Sequence, residues 1–517
     1  MADEELEKFS RRRARIREDM GGPAALSRLR AAGRATIRQR IDALADAGSF
    51  EEIGTFAVSE EPKDRASTPG DGKIGGHALI DGRPVMVAGD DVTVKRGSSA
   101  VVGDRRVRRL YEQALRAGTP FVYLGETGGA RVPDSLGSEG FTKLPPPIAV
   151  ARRARRIPFV TVIVGESFGG SSFLSALSDL VVQVRGSCLA VTSPRVIEMA
   201  TGERISMEEL GGADVHGRLT GQIDLLAADE AQAFGYVRSF LSYLPPNSWT
   251  RPPTGPQDRV RIGRDPALAG LVPSDRRESY DIKAVIRRLA DDGGFLELKP
   301  SFGASLVTGL ARLDGSSVGI IASQPSRQAG VLTAEACDKA TRLICLCDAF
   351  DIPLIFLQDC PGFIVGKRAE HGRLLHKAMM FFQALALAQT PKLTVVLRKA
   401  FGLAYYSLCG NDTAADYLYC WPSAEIGFMD PYVGANVLHA EALQSLDPAA
   451  RAVELSRLAA DMELTTEPYG AAGTMRVDEV IDPADTRALL AAALRRLGTR
   501  ERVPPAARPL ATWPTCW

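Results

Sequence analysis

The sequence predicts an α/β protein in which one domain is written twice. Three observations carry that expectation. Long segments recur in the same order, apolar β-rich runs alternate with helical stretches, and a glycine turn stands at the same place in each copy. Leu44–Gly54 (LADAGSFEEIG) returns as Leu289–Lys299 (LADDGGFLELK), and Lys73–Asp91 returns as Leu306–Gln324. Tyr111–Gly129 returns as Leu346–Gly362, and Arg156–Phe173 returns as Gln389–Tyr406.

Within each copy the elements follow one grammar. The run Phe159-Val160-Thr161-Val162-Ile163-Val164 suits a strand buried on both faces. Helical stretches such as Val107–Ala117 and Lys339–Phe350 separate the strands. Between the copies, Leu244–Ala267 is rich in Pro, Gly and charge and reads as a linker. The expected organisation is a charged helical arm (1–45), a first domain (46–245), a linker (246–268) and a second domain (269–517). A chain of 517 residues with 45% hydrophobic content gives each domain enough material for a core.

Composition excludes several functions. Sixty-three basic residues against 62 acidic leave a formal charge of +1, which argues against a nucleic-acid binder. Arg11-Arg12-Arg13 reads as part of a solvated helix face. The opening residues Met1–Lys8 lack the apolar core of a secretory signal, and the apolar-rich run Ala378–Pro391 is too short to span a bilayer. The expected location is the cytoplasm, with no membrane contact. Eight scattered cysteines (Cys188, Cys337, Cys345, Cys347, Cys360, Cys409, Cys420 and Cys516) form no C-x-x-C pair and read as reduced thiols. No H-E-x-x-H or phosphate-binding glycine loop appears, and no metal site is expected.

The glycine turns carry the chemistry. Ser167-Phe168-Gly169-Gly170-Ser171 in the first copy matches Ala400-Phe401-Gly402-Leu403-Ala404 in the second. Each follows a buried strand and precedes a helix. Amides at a helix start point outward without partners, and two that converge make an oxyanion hole. The plainer reading of either turn alone is a strand-to-helix corner. A second pair of loops, Gly125–Arg131 and Asp359–Phe363, follows the preceding strand in each copy, where ligands of open α/β sheets sit. Gly165-Glu166-Ser167-Phe168-Gly169 also fits the G-x-S-x-G elbow of serine hydrolases. That reading needs a histidine base, from His216, His371, His376 or His439. The second copy keeps the turn but has Ala400 where Ser167 stands, and His216 reads as structural.

These segments, together with Gly125-Glu126-Thr127-Gly128-Gly129-Ala130-Arg131, Met207–His216, Tyr280–Leu298, Cys347–Phe363, Arg398–Gly410 and Trp421–Met429, resemble the carboxyltransferase (β) subunits of propionyl-CoA, acetyl-CoA and methylcrotonyl-CoA carboxylases. The resemblance runs from about Gly21 to Pro504. It implies a tandem pair of crotonase-like domains and an enzyme of the ligase/transferase kind. Such an enzyme transfers the carboxyl group of carboxybiotin to the α carbon of an acyl-CoA through an enolate. It implies a first oxyanion hole at Gly169 and Gly170 and a second at Leu403 and Ala404. Gly128, Gly129, Ala130, Arg131, Phe168, Pro361, Gly362, Phe363 and Gly402 would line the acyl-CoA and biotin sites, with Tyr405 and Tyr406 in the substrate pocket. By the same resemblance, biotin arrives on a partner, a biotin carboxylase/biotin carrier (α) subunit, because the sequence has no Ala-Met-Lys-Met attachment motif. The assembly would be a homohexamer, a dimer of trimers, with the active site shared between subunits.

The sequence departs from that pattern at several positions, most of them in the second copy. Many relatives read Gly-Gly-Ala-Tyr-Asp where this chain has Gly402-Leu403-Ala404-Tyr405-Tyr406. A usual glycine is Asp430, and the Gly before Pro194 is Ser193. The first hole is intact and the second is altered, which leaves the acyl group open. A biotin-linked decarboxylase, a transcarboxylase and a non-catalytic paralogue subunit are the alternative readings, and Arg152–Arg156 is a further candidate for CoA phosphates.

Overall fold

The computed structural model describes residues 2–152, 154–255 and 263–514. Arg153, the middle of the linker (256–262) and Cys516 lie outside the described residues. The chain divides into two units. One takes residues up to 250 together with those from 512, and the other takes residues 251–511.

The first unit is built on an eight-stranded sheet: β1 (Glu51–Glu52), β2 (Lys73–Ile80), β3 (Arg83–Asp90), β4 (Phe121–Thr127), β5 (Phe159–Phe168), β6 (Leu180–Val184), β7 (Cys188–Ala190) and β8 (Leu225–Ala227). The order is β1-β2-β3-β4-β5-β6-β8, with β7 beside β5. The second unit repeats this with β9 (Phe295–Leu298), β10 (Leu306–Leu313), β11 (Ser316–Ser323), β12 (Leu354–Cys360), β13 (Lys392–Phe401), β14 (Tyr417–Cys420), β15 (Glu425–Gly427) and β16 (Glu479–Val480). Its order is β9-β10-β11-β12-β13-β14-β16, with β15 beside β13. In both, an antiparallel hairpin feeds parallel strands. Every residue of β4 and β12 is buried, as their unbroken apolar runs require of central parallel strands.

The duplication extends to single hydrogen bonds. Met86 N–H donates to Pro120 O at 2.9 Å, and Gly319 N–H to Pro353 O at 2.8 Å. Phe121 N–H donates to Pro158 O, and Leu354 N–H to Pro391 O. The ladder of the central pair breaks register at the same point in each copy, between Gly125 and Thr127 and between Gln358 and Cys360. Such a bulge re-aims the residues that follow it, and here those residues are the loops of the candidate site.

Helices cover the sheets. α1 (Val101–Ala117) packs Val107, Leu110, Tyr111 and Ala114 against Phe121, Tyr123 and Phe159. α3 (Ala334–Ala349) is its counterpart, capped by Thr333 and almost wholly buried. The segment expected as an arm is three helices, and its last, Ile37–Leu44, is a core element. It begins with a Thr36–Gln39 capping box and buries Ile37, Arg40, Ile41 and Leu44. Among the described residues no helix is long and apolar enough to cross a membrane.

A buried cation ties the second sheet to the segment before it. Arg398 on β13 is 2% exposed. It pairs with Asp359 at 3.1 Å, donates to the carbonyls of Pro273, Asp275 and Glu278, and lies over the Tyr280 ring. Removing one partner of a buried pair leaves the other charge desolvated, at about 3–5 kcal/mol. Arg398→Ala is therefore expected to lower the unfolding free energy of the second unit by that much, as read from a denaturant titration. Intrinsic fluorescence of Trp421, which is buried in the same core, measures it.

Candidate functional site

The site of the first unit lies beyond the C-terminal ends of β4 and β5. β5 ends at Phe168, and Gly169 turns the chain at φ 62°, ψ −119° into α2 (Gly170–Ala176). A β-carbon at Gly169 would be strained whatever the space around it. No side chain caps α2. The Gly169 N–H donates weakly to Val191 O at 3.3 Å, while no described residue accepts from the Gly170 N–H.

The loop after β4 is held against this turn. Ser99 clamps it as an extra strand residue: Ser99 N–H donates to Gly129 O at 2.9 Å, and Arg131 N–H to Ser99 O at 2.8 Å. Gly128 N–H donates to Arg96 O, and Gly129 N–H to the Thr127 hydroxyl. These bonds engage the amides on either side of Ala130 and leave its own N–H open. A β-carbon on Gly169 would stand 3.7 Å from Gly129 Cα and 4.0 Å from Ala130 N, so the two backbones face each other. Ala130 thus joins Gly170 as an amide donor at this point. Phe168 is buried and packs beneath Gly129.

The same construction stands in the second unit. Leu332 clamps the loop after β12, donating to Gly362 O at 3.0 Å and accepting from Ile364 N–H at 3.0 Å. Pro361, Gly362 and Phe363 are half-buried on that loop. β13 runs into α4 (Gly402–Ser407), again without a side-chain cap, with Gly402 at φ 63°. Leu403 is 43% exposed while Ala404 is fully buried. Their N–H groups fall in the first turn of α4, where no intrahelical acceptor exists. By contrast, Thr36, Ser206, Asp229, Asp281 and Asp447 cap other helices of the chain.

Several expected site residues are engaged elsewhere. Arg131 is buried and paired with Asp71 at 2.6 Å and Asp134 at 3.3 Å, so it fixes the loop while it lines the cleft beside Ala130. Tyr405 is buried and its hydroxyl accepts from Asn411 N–H, whereas Tyr406, its ring tilted against that of Tyr405 at 5.2 Å, is 40% exposed. Arg155 and Arg156 precede β5, at the opposite end of the strand from the turn. Arg155 is buried beside Asp179, and Arg156 lies over Trp249.

Ser167 is no accessible nucleophile. It is fully buried, with its hydroxyl 2.5 Å from that of Ser171. His216 uses both ring nitrogens, on Leu189 O at 2.6 Å and Thr220 at 2.9 Å, and burial lowers its pKa. Burial also pushes the Cys360 thiol, at the mouth of the second loop, up to about 12. Among the described residues no group of three or more His, Cys, Asp or Glu side chains is placed to hold a metal.

Two residues that sequence reasoning passed over flank the first turn. Lys95 and Arg96 both sit at positive φ (48° and 60°) and border a cleft of about 350 Å³ with Gly128 and Ala130. Their counterparts Gln328 and Ala329 keep the strained backbone (47° and 54°) without the charge. Comparing the two copies at this turn was the available signal.

The carboxyl transferase domain family matches residues 28–509. The methylmalonyl-CoA carboxyltransferase 12S subunit of Propionibacterium freudenreichii subsp. shermanii is 36% identical over 490 residues, covering 94% of this chain and 93% of that one. The biotin-dependent long chain acyl-coenzyme A carboxylase beta4 subunit of Mycobacterium tuberculosis is 36% identical over 502 residues, covering 95% and 94%. A crystal structure of the transcarboxylase 12S hexamer with hydrolysed methylmalonyl-CoA bound superposes with a TM-score of 0.89 at 35% identity, covering 97% of this chain and 96% of that one.

Ser167→Ala is expected to keep turnover of the physiological thioester within about threefold. Its cost falls on stability, about 1–3 kcal/mol, because Ser171 loses a buried partner. Parallel rate and thermal-melt measurements on the variant separate the two, and complete loss of turnover in a folded variant would restore the nucleophile reading.

Proposed function

The chain belongs to the carboxyl transferase domain family, and from that premise we propose how its two turns divide the reaction of a biotin-dependent acyl-CoA carboxylase. The fold is a tandem of crotonase-like domains, and the activity is carboxyl transfer to an acyl-CoA. The observation that carries the division of labour is the repeated uncapped helix start: α2 and α4 each present amides without partners beside a clamped loop.

The first turn takes the acyl-CoA. Gly170 N–H, with Ala130 or Gly169 N–H, donates to the thioester oxygen. Those bonds strengthen as charge moves onto that oxygen when the α-proton leaves, which is what an oxyanion hole requires. Gly128, Gly129 and Phe168 shape the backbone floor, and Arg131 holds the loop through Asp71. The second turn takes biotin, and the open amides of Leu403 and Ala404 fit the ureido oxygen of that group. Carboxybiotin supplies the carboxyl group and the base. The side chains at the turns are then left to bind, orient and exclude water. No protein acid or base is required, consistent with the engaged His216 and the buried Ser167.

The cofactor comes on a biotin carboxylase/biotin carrier partner, and the two turns meet across a subunit interface in a homohexamer, a dimer of trimers. The acyl pocket is walled by Tyr406, which stands exposed where the resembled family carries an acid, while Leu403 adds bulk beside the biotin hole. That combination favours a polar or otherwise unusual acyl group. A transcarboxylase reading rests on the same turns, since the name of the 12S relative is that of a carboxyltransferase. The direction of transfer is then a property of the partner.

The purified protein is expected to move the carboxyl group of one malonyl-type CoA thioester to free biotin or biocytin. Failure with every thioester, in a preparation that also fails to bind acyl-CoA, would sink the reading. Sedimentation should give a hexamer, and a stable monomer would contradict a shared site. Gly169→Ala should lower kcat by roughly 10²–10³ while acyl-CoA still binds, as read by steady-state kinetics beside equilibrium binding.

A further inference from the structure

The second unit carries a cleft at the end of its sheet opposite the candidate site. Ser316 and Ser317 open β11, Pro353 precedes β12 and Pro391 precedes β13, and all four line a hollow of about 210 Å³. These are the starts of three neighbouring parallel strands, whereas the loops and α4 lie at their ends. At about 3.3 Å per residue, the length of β12 and β13 separates the two places by roughly 23–33 Å.

Arginines dominate the lining. Arg251, Arg500 and Arg502 face a single carboxylate, Asp351, leaving an excess of two positive charges. Arg500 and Arg502 each take one oxygen of Asp351, at 2.6 and 2.8 Å, and the fully buried Arg508 shares it at 2.6 Å. Burial works against the charge of Asp351, but Arg508 and Arg500 outweigh it and hold the carboxyl below its usual range. Arg251 is exposed and donates to Gly498 O at 2.9 Å. Pro353, Pro391 and Leu494 give the cleft an apolar side.

Comparison with the first unit shows that the fold does not demand this cluster. Gly118 and Asp351 occupy the same place, the left-handed residue after the covering helix and two before the strand's proline (φ 67° and 58°). In the first unit the place is glycine, and the chain closes over it: Asn247 donates to Gly118 O at 2.8 Å and Trp249 covers it, packed on Arg156. In the second unit an aspartate takes a conformation that glycine adopts more readily. Its carboxylate gathers two arginines at the border of an open cleft. An anchored guanidinium keeps the planar donor geometry that binds oxyanions in a bidentate way.

We propose that this cleft binds a compact dianion, with Arg251, Arg500 and Arg502 as its donors and Asp351 as the residue that positions two of them. A volume of about 210 Å³ admits a phosphate or a short dicarboxylate. It lies at the starts of β11, β12 and β13, at the other end of the strands from the candidate turn, so the site is distinct from the one where the acyl group reacts.

Isothermal titration of the full-length protein at low ionic strength with inorganic phosphate, and separately with succinate, tests this. One anion or both should saturate at one site per subunit. Saturation by phosphate alone assigns a phosphorylated ligand, and saturation by succinate alone assigns a dicarboxylate. Arg251→Gln, whose side chain is exposed and holds no core, should weaken binding tenfold or more, and Arg500→Gln should do the same. If neither anion saturates, or if both variants bind within twofold of the parent, the proposal fails. Neither result bears on carboxyl transfer, because no residue of the candidate turns is altered.

Discussion

Twice along the chain a largely buried parallel strand ends at a glycine held near φ 62°, and most of what surrounds the candidate site follows from that turn. The sharp change of direction brings a helix start to the sheet's edge with no residue placed to cap it. The amides that a serine or aspartate would otherwise satisfy are left facing outward. The preceding strand supplies the other half of the arrangement. Its bulge and its clamp, Ser99 in one copy and Leu332 in the other, press a second backbone against the first. A hydrogen-bonding surface made of backbone survives changes of side chain, which is why Ser167 and Ala400, or Gly170 and Leu403, can stand at matching positions.

The duplicated topology was legible in the sequence because apolar runs and glycine turns are local signals, and the four recurring segments carry both. The two turns and their partner loops were legible for the same reason. What could not be read was the direction in which individual side chains point. Arg131 lies in a motif rich in glycine and looks like a ligand contact, yet a carboxylate 60 positions away captures it. Tyr405 and Tyr406 are adjacent and alike, but only the helix phase decides that one is buried and the other exposed. The Ile37–Leu44 helix reads as part of a charged arm because its arginines dominate the composition. Their partners, Glu52 for Arg38 and both Glu126 and Glu230 for Arg40, come from distant parts of the first unit.

The departure at Asp430 has a structural account. Asp430, at a position where the resemblance leads one to expect glycine, caps the helix Pro431–Leu438 by accepting from Tyr432 and Val433 N–H. It also pairs with Arg276, which reaches Glu425 and Glu463 as well. The segment after β15 is therefore anchored by charge rather than left as a glycine hinge. Ser193, by contrast, precedes Pro194 at a helix start without making a cap, and the structure gives no reason for it.

The last described residues have an effect on the order in which the protein is made. Arg155, buried in the first unit, donates to the carbonyls of Trp513 and Pro514, the first of them 358 positions later. At ~5–20 residues per second, a ribosome needs roughly 20–70 s to reach them. During that interval the first unit has its sheet but not its final seam, and a buried guanidinium waits for two of its acceptors. The second unit must be translated before Arg155 gains these two acceptors, so the last contacts of the first unit form only after the second has been made.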